Sequence, residues 1–257
     1  MSADGLILRL QNVTRRFGGL TAVDNVSFGV RRGEVFALIG PNGAGKTTLF
    51  NGITGLIPPT SGVVEFDGVD VTGLKPHRVA SMGIARTFQN IRLFDFMSAL
   101  DNVKVGQHCR MRAQLWDAIL KTPLERREER TVEDRAMELL RFVGIERQAH
   151  NYARNLPYGQ QRRLEIARAL ASEPRLLLLD EPAAGFTPQE KVELMALVDK
   201  ICSQGTTVFL IEHDMKLVMG ISRRIVVLDH GEKIAEGTPE EVRGNRRVIE
   251  AYLGKGA

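Results

Sequence analysis

The chain has 257 residues, of which 43% are hydrophobic and 26% are charged, as in an ordinary globular protein. Its net charge of +4 is too small to indicate a nucleic-acid partner. We expect most of its arginine pairs, among them Arg162 and Arg163, to lie on solvated faces, with weak attraction to anionic headgroups as the alternative. No apolar run approaches the ~18–20 residues that span a bilayer, and the first five residues lack the features of a signal peptide. We therefore expect a cytoplasmic protein whose two cysteines, Cys109 and Cys202, are reduced thiols.

The first third of the chain indicates strands around a nucleotide-binding loop. In residues 6–13 and 26–30, apolar and polar side chains alternate, as is typical of half-buried strands. The apolar run 35–39 is typical of a buried strand, and residues 63–66 end at a turn signal, Asp67-Gly68. This pattern predicts an antiparallel β-subdomain beside the start of a nucleotide-binding core.

A phosphate-binding motif directly follows the apolar run. Residues 40–47, here called the phosphate loop, fit the pattern G-x-x-x-x-G-K-[ST] between a strand and a helix. Glycines let the backbone approach an anion because no Cβ intrudes, and the N-terminus of the helix adds positive potential. Lys46 supplies a cation for the outer phosphates and Thr47 a hydroxyl for Mg²⁺. The loop alone leaves kinases, GTPases, helicases and transport ATPases open. The predicted nucleotide-binding residues are Gly40, Pro41, Asn42, Gly43, Ala44, Gly45, Lys46, Thr47 and Thr48.

The middle of the chain predicts an inserted helical lobe. Met111, Leu115 and Ile119 recur at helical spacing, and no strand pattern appears there. We expect Trp116 to pack inside this lobe. Within a single domain, 1–257, the expected parts are the β-subdomain with the phosphate-loop part of the core (1–90), the lobe (91–172), and the rest of the core with a C-terminal helix (173–257).

After the lobe, continuous apolar runs return. Residues 176–179, 206–211 and 225–228 alternate with helical segments, which predicts an α/β fold with a mostly parallel sheet flanked by helices. The first of these runs ends in two adjacent carboxylates. Asp180 can hold Mg²⁺, and Glu181 can orient and polarise an attacking water, a division that suits phosphoryl transfer.

Residues 156–170 discriminate between the classes of enzyme that the phosphate loop alone leaves open. A glycine opens an amphipathic helix there, upstream of the carboxylate strand, and this segment resembles the signature motif of the ATP-binding cassette (ABC) family of transport ATPases. The resemblance covers nearly the whole chain. It implies a P-loop NTPase core with an N-terminal antiparallel β-subdomain and an inserted α-helical lobe, and it implies ATP and Mg²⁺ as cofactors. We call residues 156–170 the signature segment.

The resemblance also implies roles for single residues. Phe17 stacks on adenine with Val23 beside it. Gln89 meets Mg²⁺ and water and links the core to the lobe, and His213 contacts the γ-phosphate. In the signature segment, the residues that act on a partner's ATP are Tyr158, Gly159 and Gln160.

A closer resemblance is carried by residues 17–23, 86–90, 158–168 and 181–185 and by the short tail that ends at residues 252–254, which are similar to the larger ATPase subunit of branched-chain amino acid importers. This similarity implies an ATPase that energises uptake of branched-chain or other amino acids. The implied partners are a second ATPase subunit in a head-to-tail dimer, integral membrane permease subunits and an extracytoplasmic solute-binding protein, with no nucleic acid. The chain would lie peripherally on the cytoplasmic face of the inner or plasma membrane.

An apolar stretch follows Gln89 and can receive a helix of the permease. The alternative is that its residues form the core of the lobe. The stretch comprises Ile91, Leu93, Phe94, Phe96 and Met97.

Two positions depart from the wider family. Pro157 stands where a serine hydroxyl usually donates to a γ-phosphate across the dimer, and proline has neither a hydroxyl nor an N–H to offer. We expect a weaker signature contact, since one neutral hydrogen bond is worth about 1 kcal/mol. Thr187 replaces an aspartate that normally reaches across the dimer, so communication between the two ATP sites is expected to differ.

Three alternatives stay open. The first is an ABC ATPase for another cargo, such as an amide or urea, or for lipid extraction or export. The second is a soluble ABC protein that acts on DNA or ribosomes, although the chain has one phosphate loop and no long coiled coil. The third is a GTPase switch, which would require an N-K-x-D motif that the sequence lacks.

Overall fold

A computed structural model describes residues 5–107 and 123–253, with only the backbone given for residues 123–129. The predictions for the lobe interior rest on Met111, Leu115, Trp116 and Ile119, which lie outside the described residues, as does Cys109. The chain divides into two compact units, the first formed by Met1–Arg86 and Arg175–Ala257, the second by Thr87–Pro174.

The strands and α-helices of the described residues begin with six strands interrupted by two helices, continue with three helices, and end with strands and helices that largely alternate. In chain order they are β1 (Leu6–Phe17), β2 (Leu20–Arg31), β3 (Val35–Ile39), α1 (Lys46–Ile53), β4 (Ser61–Phe66), β5 (Val69–Asp70), α2 (Pro76–Ser81), β6 (Ile84–Arg86), α3 (Ala99–Gly106), α4 (Pro123–Phe142), α5 (Tyr158–Leu170), β7 (Leu176–Asp180), α6 (Pro188–Ser203), β8 (Thr207–Ile211), α7 (Met215–Ile221), β9 (Arg224–Asp229), β10 (Glu232–Gly237), α8 (Pro239–Arg243) and α9 (Arg246–Leu253).

The first unit contains two sheets. One is antiparallel with strand order β2-β1-β4-β5, and the other has the order β10-β9-β3-β8-β7-β6. In the second sheet every neighbouring pair is parallel except β10 with β9. Because β3, β7 and β8 are buried at every residue, both their faces are covered, as is typical of strands inside a parallel sheet. The predicted fold class is confirmed.

An aromatic cluster anchors the helix that follows the phosphate loop. Phe50 on α1 packs edge-on against Phe209 of β8, with ring centroids 4.8 Å apart. Phe209 in turn contacts Phe36 of β3 at 5.1 Å, and Phe28 of β2 stacks on Phe36 at 5.4 Å. Such pairs are each worth about 0.5–1.5 kcal/mol beyond the area they bury. Helix α1 is thereby fixed to both sheets, and so is the end of the phosphate loop.

The second unit is helical where it is described. Ser98 caps α3 by accepting a hydrogen bond from the Asp101 backbone N–H at 3.0 Å. The fully buried Asn102 then accepts from the backbone N–H of Phe94 at 2.9 Å and donates to the Phe94 carbonyl at 3.1 Å. These bonds give the irregular stretch before α3 a defined path, because both polar groups of Phe94 are bound to one side chain.

No helix in the described ranges 5–107 and 123–253 has both the length and the apolar composition required to cross a bilayer.

Candidate functional site

The phosphate loop connects the end of β3 to the start of α1, and its path depends on two glycines. A Cβ on Gly40, where φ is +152°, would lie 2.1 Å from the Leu228 carbonyl oxygen. A Cβ on Gly45, where φ is +95°, would lie 2.2 Å from the Ala22 carbonyl oxygen. Any side chain at either position would collide with a neighbouring backbone, so the loop can follow this course only with glycine there.

Lys46 is buried inside the curve of the loop. Its ammonium donates to the Gly40 carbonyl at 2.7 Å and to the Pro41 carbonyl at 2.9 Å. Burial lowers the pKa of Lys46, whereas the negative charges of Glu181 and Asp180 oppose that shift. Thr47, beside it at the start of α1, is exposed. A phosphate at this place would therefore meet a partly desolvated cation and an accessible hydroxyl.

The two adjacent carboxylates at the end of β7 lie in different surroundings. Asp180 is 1% exposed and accepts a hydrogen bond from Arg86 Nη2 at 2.8 Å, while Arg86 Nη1 donates to Asn51 Oδ1 at 2.7 Å. Glu181 takes a left-handed backbone conformation with φ +48°, and its N–H donates to the Ile211 carbonyl at 2.9 Å. Asp180 is thus fixed by a buried cation, and Glu181 is turned away from the strand.

His213 lies beside Glu181. Its Nδ1 is 3.9 Å from Glu181 Oε2 and also 3.9 Å from Glu212 Oε2, and the imidazole is 60% exposed. The first unit therefore brings together the carboxylate and the histidine that the sequence assigned to the same site, although they come from different strands.

The two residues expected near adenine differ in exposure. Phe17 ends β1 with 41% of its surface exposed, and the guanidinium carbon of Arg15 lies 4.5 Å from its ring centroid. Val23 is only 1% exposed and belongs to the hydrophobic core next to Gly45. Phe17 offers a surface on which a planar ligand can stack, whereas Val23 packs against the phosphate loop at Gly45.

Gln89 and the signature segment belong to the second unit. Helix α5 starts at Tyr158, which is 46% exposed, and the Pro157 carbonyl accepts hydrogen bonds from the N–H groups of Gln160 at 2.9 Å and Gln161 at 3.0 Å. Arg162 is an exception to the expectation that most of the arginine pairs are solvated. Arg162 is 2% exposed, because it binds backbone carbonyls inside the unit rather than water, among them that of Gln89.

The donor set fits a magnesium ion that arrives with a nucleotide. In the part of the chain that the structure describes, no group of three or more His, Cys, Asp or Glu side chains could hold a metal by itself. Mg²⁺ is commonly bound by one or two carboxylates together with substrate phosphates. Asp180 and the hydroxyl of Thr47 satisfy that pattern, whereas an all-protein metal cage is not required.

A family model described as "ABC transporter" matches residues 23–184. The chain belongs to the ABC transporter family. A second model, "Branched-chain amino acid ATP-binding cassette transporter", matches residues 232–257 of this ABC protein.

Individual relatives agree with the family match. The chain is 49% identical over 250 residues to the high-affinity branched-chain amino acid transport ATP-binding protein BraF of Pseudomonas aeruginosa, covering 97% of this chain and 98% of that protein. A solved ATP-binding cassette of an ABC transporter in its ADP conformation superimposes with a TM-score of 0.84 and 33% identity, over 97% of this chain and 99% of that one. A dimeric cassette bound to ADP and Pi matches with a TM-score of 0.77 and 29% identity, over 90% and 98% of the two chains. The predicted family and the predicted class of enzyme, a transporter ATPase, are confirmed.

The two departures from the wider ABC family have local structural roles. Pro157 is the N-cap of α5 and provides no side-chain hydrogen bond there. Thr187 caps α6, since its hydroxyl accepts from the Glu190 N–H at 3.3 Å while Glu190 Oε2 accepts from the Thr187 N–H at 2.8 Å. The expected effects of both residues on the ATP sites stay predictions.

The sequence reasoning missed Tyr252 of α9. Burial raises the pKa of Tyr252, and a backbone hydrogen bond from Gly40 opposes that shift. The C-terminal segment thus contacts the phosphate loop. The sequence signal was present, since Tyr252 lies in the short tail that carries the closer resemblance.

The sequence reasoning also missed Glu212, which connects the segments after β7 and β8. This carboxylate is 1% exposed and accepts from the N–H groups of Ala183 at 2.8 Å and His213 at 3.1 Å. Burial raises the pKa of Glu212, and these backbone bonds oppose that shift. Glu212 thereby fixes the backbone at His213 relative to the loop that follows Glu181.

We expect Glu212→Gln to destabilise the protein by about 1–3 kcal/mol, because an amide nitrogen cannot accept and one of the buried N–H groups loses its partner. Urea unfolding followed by circular dichroism measures the change. Glu232→Gln, at an exposed position on β10, is the matched control and should unfold as the wild type does. Equal stability of the two variants would contradict the bridging role of Glu212.

Proposed function

We propose that this chain is the ATP-hydrolysing subunit of an importer for branched-chain amino acids. The assignment of branched-chain amino acids as the transported solute rests on the match of residues 232–257 to the branched-chain amino acid cassette model. The 49% identity to BraF along 97% of the chain supports it. The C-terminal segment is the part of the chain in which this group is recognised separately from the general ABC core.

ATP is held in the first unit by the phosphate loop. Backbone N–H groups of residues 42–48 and the ammonium of Lys46 bind the phosphates, which replace the carbonyls of Gly40 and Pro41 as acceptors of the Lys46 hydrogen bonds. Phe17 stacks on the adenine. Thr47 and Asp180 would hold Mg²⁺, and the bound ion would neutralise phosphate charge. Gln89 keeps the role toward Mg²⁺ and water that the family resemblance implies.

Hydrolysis is assigned to Glu181 and His213. Glu181 accepts a hydrogen bond from the attacking water and orients it toward the γ-phosphate, while His213 contacts the γ-phosphate oxygens. The 3.9 Å separation of these side chains supports a shared target, because each can reach a group placed next to the other. Positioning and charge stabilisation account for most of the catalysis of phosphoryl transfer.

In a head-to-tail dimer, each ATPase subunit completes the ATP site of the other. Tyr158, Gly159 and Gln160 act on the ATP of a head-to-tail partner, which is the same chain or a related one. The dimeric cassette with ADP and Pi supports such an assembly at the level of the family. Closure of the dimer on ATP and reopening after hydrolysis drive the permease.

The apolar stretch after Gln89 is the proposed contact with the permease. Phe94 is 47% exposed and Phe96 is 74% exposed, while Ile91, Leu93 and Met97 are half-buried. No member of this stretch is buried, which favours a contact with the permease over the alternative that the stretch forms the core of the lobe. Exposed aromatic groups of this size often mark a protein interface. The permease would place the chain on the cytoplasmic face of the membrane, and a solute-binding protein would deliver cargo from the other side.

Reconstitution tests the function. The chain is co-expressed with permease subunits and a second ATPase of a branched-chain amino acid importer. Uptake of labelled leucine, isoleucine and valine into proteoliposomes is then measured with ATP inside and a solute-binding protein outside. ATP-dependent uptake of these amino acids, lost in Glu181→Gln, is expected. Uptake of an amide or urea instead, or export of lipid, would overturn the proposed cargo and leave the ATPase role intact.

A further inference from the structure

A buried ion pair on the signature helix α5 holds the backbone around Gln89. Arg162 and Glu165 are each 2% exposed, and Arg162 Nη1 donates to Glu165 Oε2 at 3.0 Å. They stand three residues apart and therefore lie on the same face of the helix. A charged pair so completely removed from water is stable only if its remaining donors and acceptors also find partners.

Those partners are backbone groups of residues 88–92. Arg162 donates to the carbonyls of Phe88, at 2.6 Å, and of Gln89. Glu165 Oε1 accepts from the N–H groups of Phe88 at 3.2 Å and Arg92 at 3.4 Å. Both polar backbone groups of Phe88 are thus bound by the pair. Residues 88–92 have neither helix nor strand, so these side chains substitute for regular backbone pairing.

The same arginine also reaches the start of the signature helix. Arg162 Nη2 donates to the hydroxyl of Tyr158 at 3.3 Å, and its guanidinium carbon lies 5.7 Å from the centroid of the Tyr158 ring. One buried cation therefore contacts a signature residue and the carbonyl of Gln89. All of these contacts lie within the second unit.

We propose that the Arg162–Glu165 pair is a positioning device that makes the Gln89 segment and the signature segment move as one body. This inference rests on the proposed function, in which Gln89 responds to the chain's own ATP and the signature segment to the partner's ATP. The pair then transmits the state of one ATP site to the other. Neither residue touches nucleotide.

Arg163 provides a matched control. It is the neighbouring arginine on the same helix, and it donates to the Val143 carbonyl at 3.0 Å, away from residues 88–92. Arg163→Met removes a guanidinium and a lobe hydrogen bond, as Arg162→Met does, but leaves the Gln89 segment bound. Any general weakening of the lobe should therefore appear in both variants.

The first test measures amide hydrogen exchange on the full chain, by mass spectrometry of peptides that cover residues 87–92. We expect exchange at the Phe88 and Arg92 amides to be about 10-fold faster in Glu165→Leu and in Arg162→Met, because the acceptor of these N–H groups is removed or displaced. Arg163→Met should exchange there at the wild-type rate. Unchanged protection in both pair variants would overturn the proposal.

The second test measures ATP hydrolysis by the assembled transporter against ATP concentration. We expect Arg162→Met to lower kcat about 10-fold and the Hill coefficient toward 1, with nucleotide affinity within about 3-fold of wild type because the phosphate loop is untouched. If Arg162→Met does not fold, Arg162→Lys and Glu165→Gln, which keep part of the hydrogen bonding, should give smaller changes in the same direction. Wild-type kcat and cooperativity in folded pair variants would refute the coupling. Absence of ATP hydrolysis in the wild-type transporter would instead refute the proposed function, and the exchange experiment would still decide whether the pair holds residues 88–92.

Discussion

Glu181→Gln should bind ATP with nearly wild-type affinity and lose hydrolysis by a factor of about 10²–10⁴, the usual contribution of a positioned general base. The amide keeps the size of the side chain but cannot take a proton from water. The backbone at Glu181 is set by its own left-handed conformation and by the N–H bond to Ile211 at 2.9 Å, and both survive the substitution. A coupled phosphate-release assay on the assembled transporter measures the rate, and equilibrium binding of labelled ATP measures the affinity.

Glu232→Gln is the control for this prediction, since it makes the same chemical change at an exposed position on β10. It should hydrolyse ATP at the wild-type rate. The assignment of Glu181 would be wrong if Glu181→Gln turned over ATP as fast as this control. A variant that lost binding as well as hydrolysis would contradict the separation of the two roles, because it would make Glu181 part of the nucleotide-binding surface.

The parts of the fold that could be predicted from the sequence are those whose structure depends on a few consecutive residues. The apolar runs that became β3, β7 and β8 could be stable only when covered on both faces, so they predicted a parallel sheet directly. The phosphate loop is equally local, because its two glycines at positive φ, its lysine and the helix that follows lie within one short stretch of the chain.

The parts that could not be predicted depend on partners far away in sequence. Arg162 lies in a charged run that is typical of a solvated helix face, and only the folded lobe places the carbonyls of Phe88 and Gln89 within its reach. Glu212 is likewise indistinguishable from a surface carboxylate until β7 and β8 stand side by side and Ala183 comes within 2.8 Å. Val23 was expected beside Phe17 near the adenine, but its 1% exposure and its position next to Gly45 of the phosphate loop were not foreseen.

Lys46→Ala should weaken ATP binding about 10- to 100-fold, because a hydrogen bond from a charged donor is worth roughly 1.5–3 kcal/mol. Hydrolysis should fall further, by about 10²–10³, since the ammonium also stabilises charge that develops on the phosphates. Without nucleotide, the same ammonium binds the Gly40 and Pro41 carbonyls. The substitution therefore removes two contacts of the empty loop as well, and equilibrium binding must be measured together with urea unfolding.

A second variant separates these two effects of Lys46. Lys46→Met keeps most of the buried apolar stem and loses only the cation, so it should restore much of the stability that alanine loses but none of the affinity for ATP. Lys75→Ala, at an exposed position before α2, controls for loss of a positive charge on the same unit. If Lys46→Met bound ATP as tightly as the wild type, the ammonium would serve the architecture of the loop and not the phosphates. Weak binding in a stably folded Lys46→Met would instead assign the cation to the nucleotide, because loop architecture alone could not account for the loss.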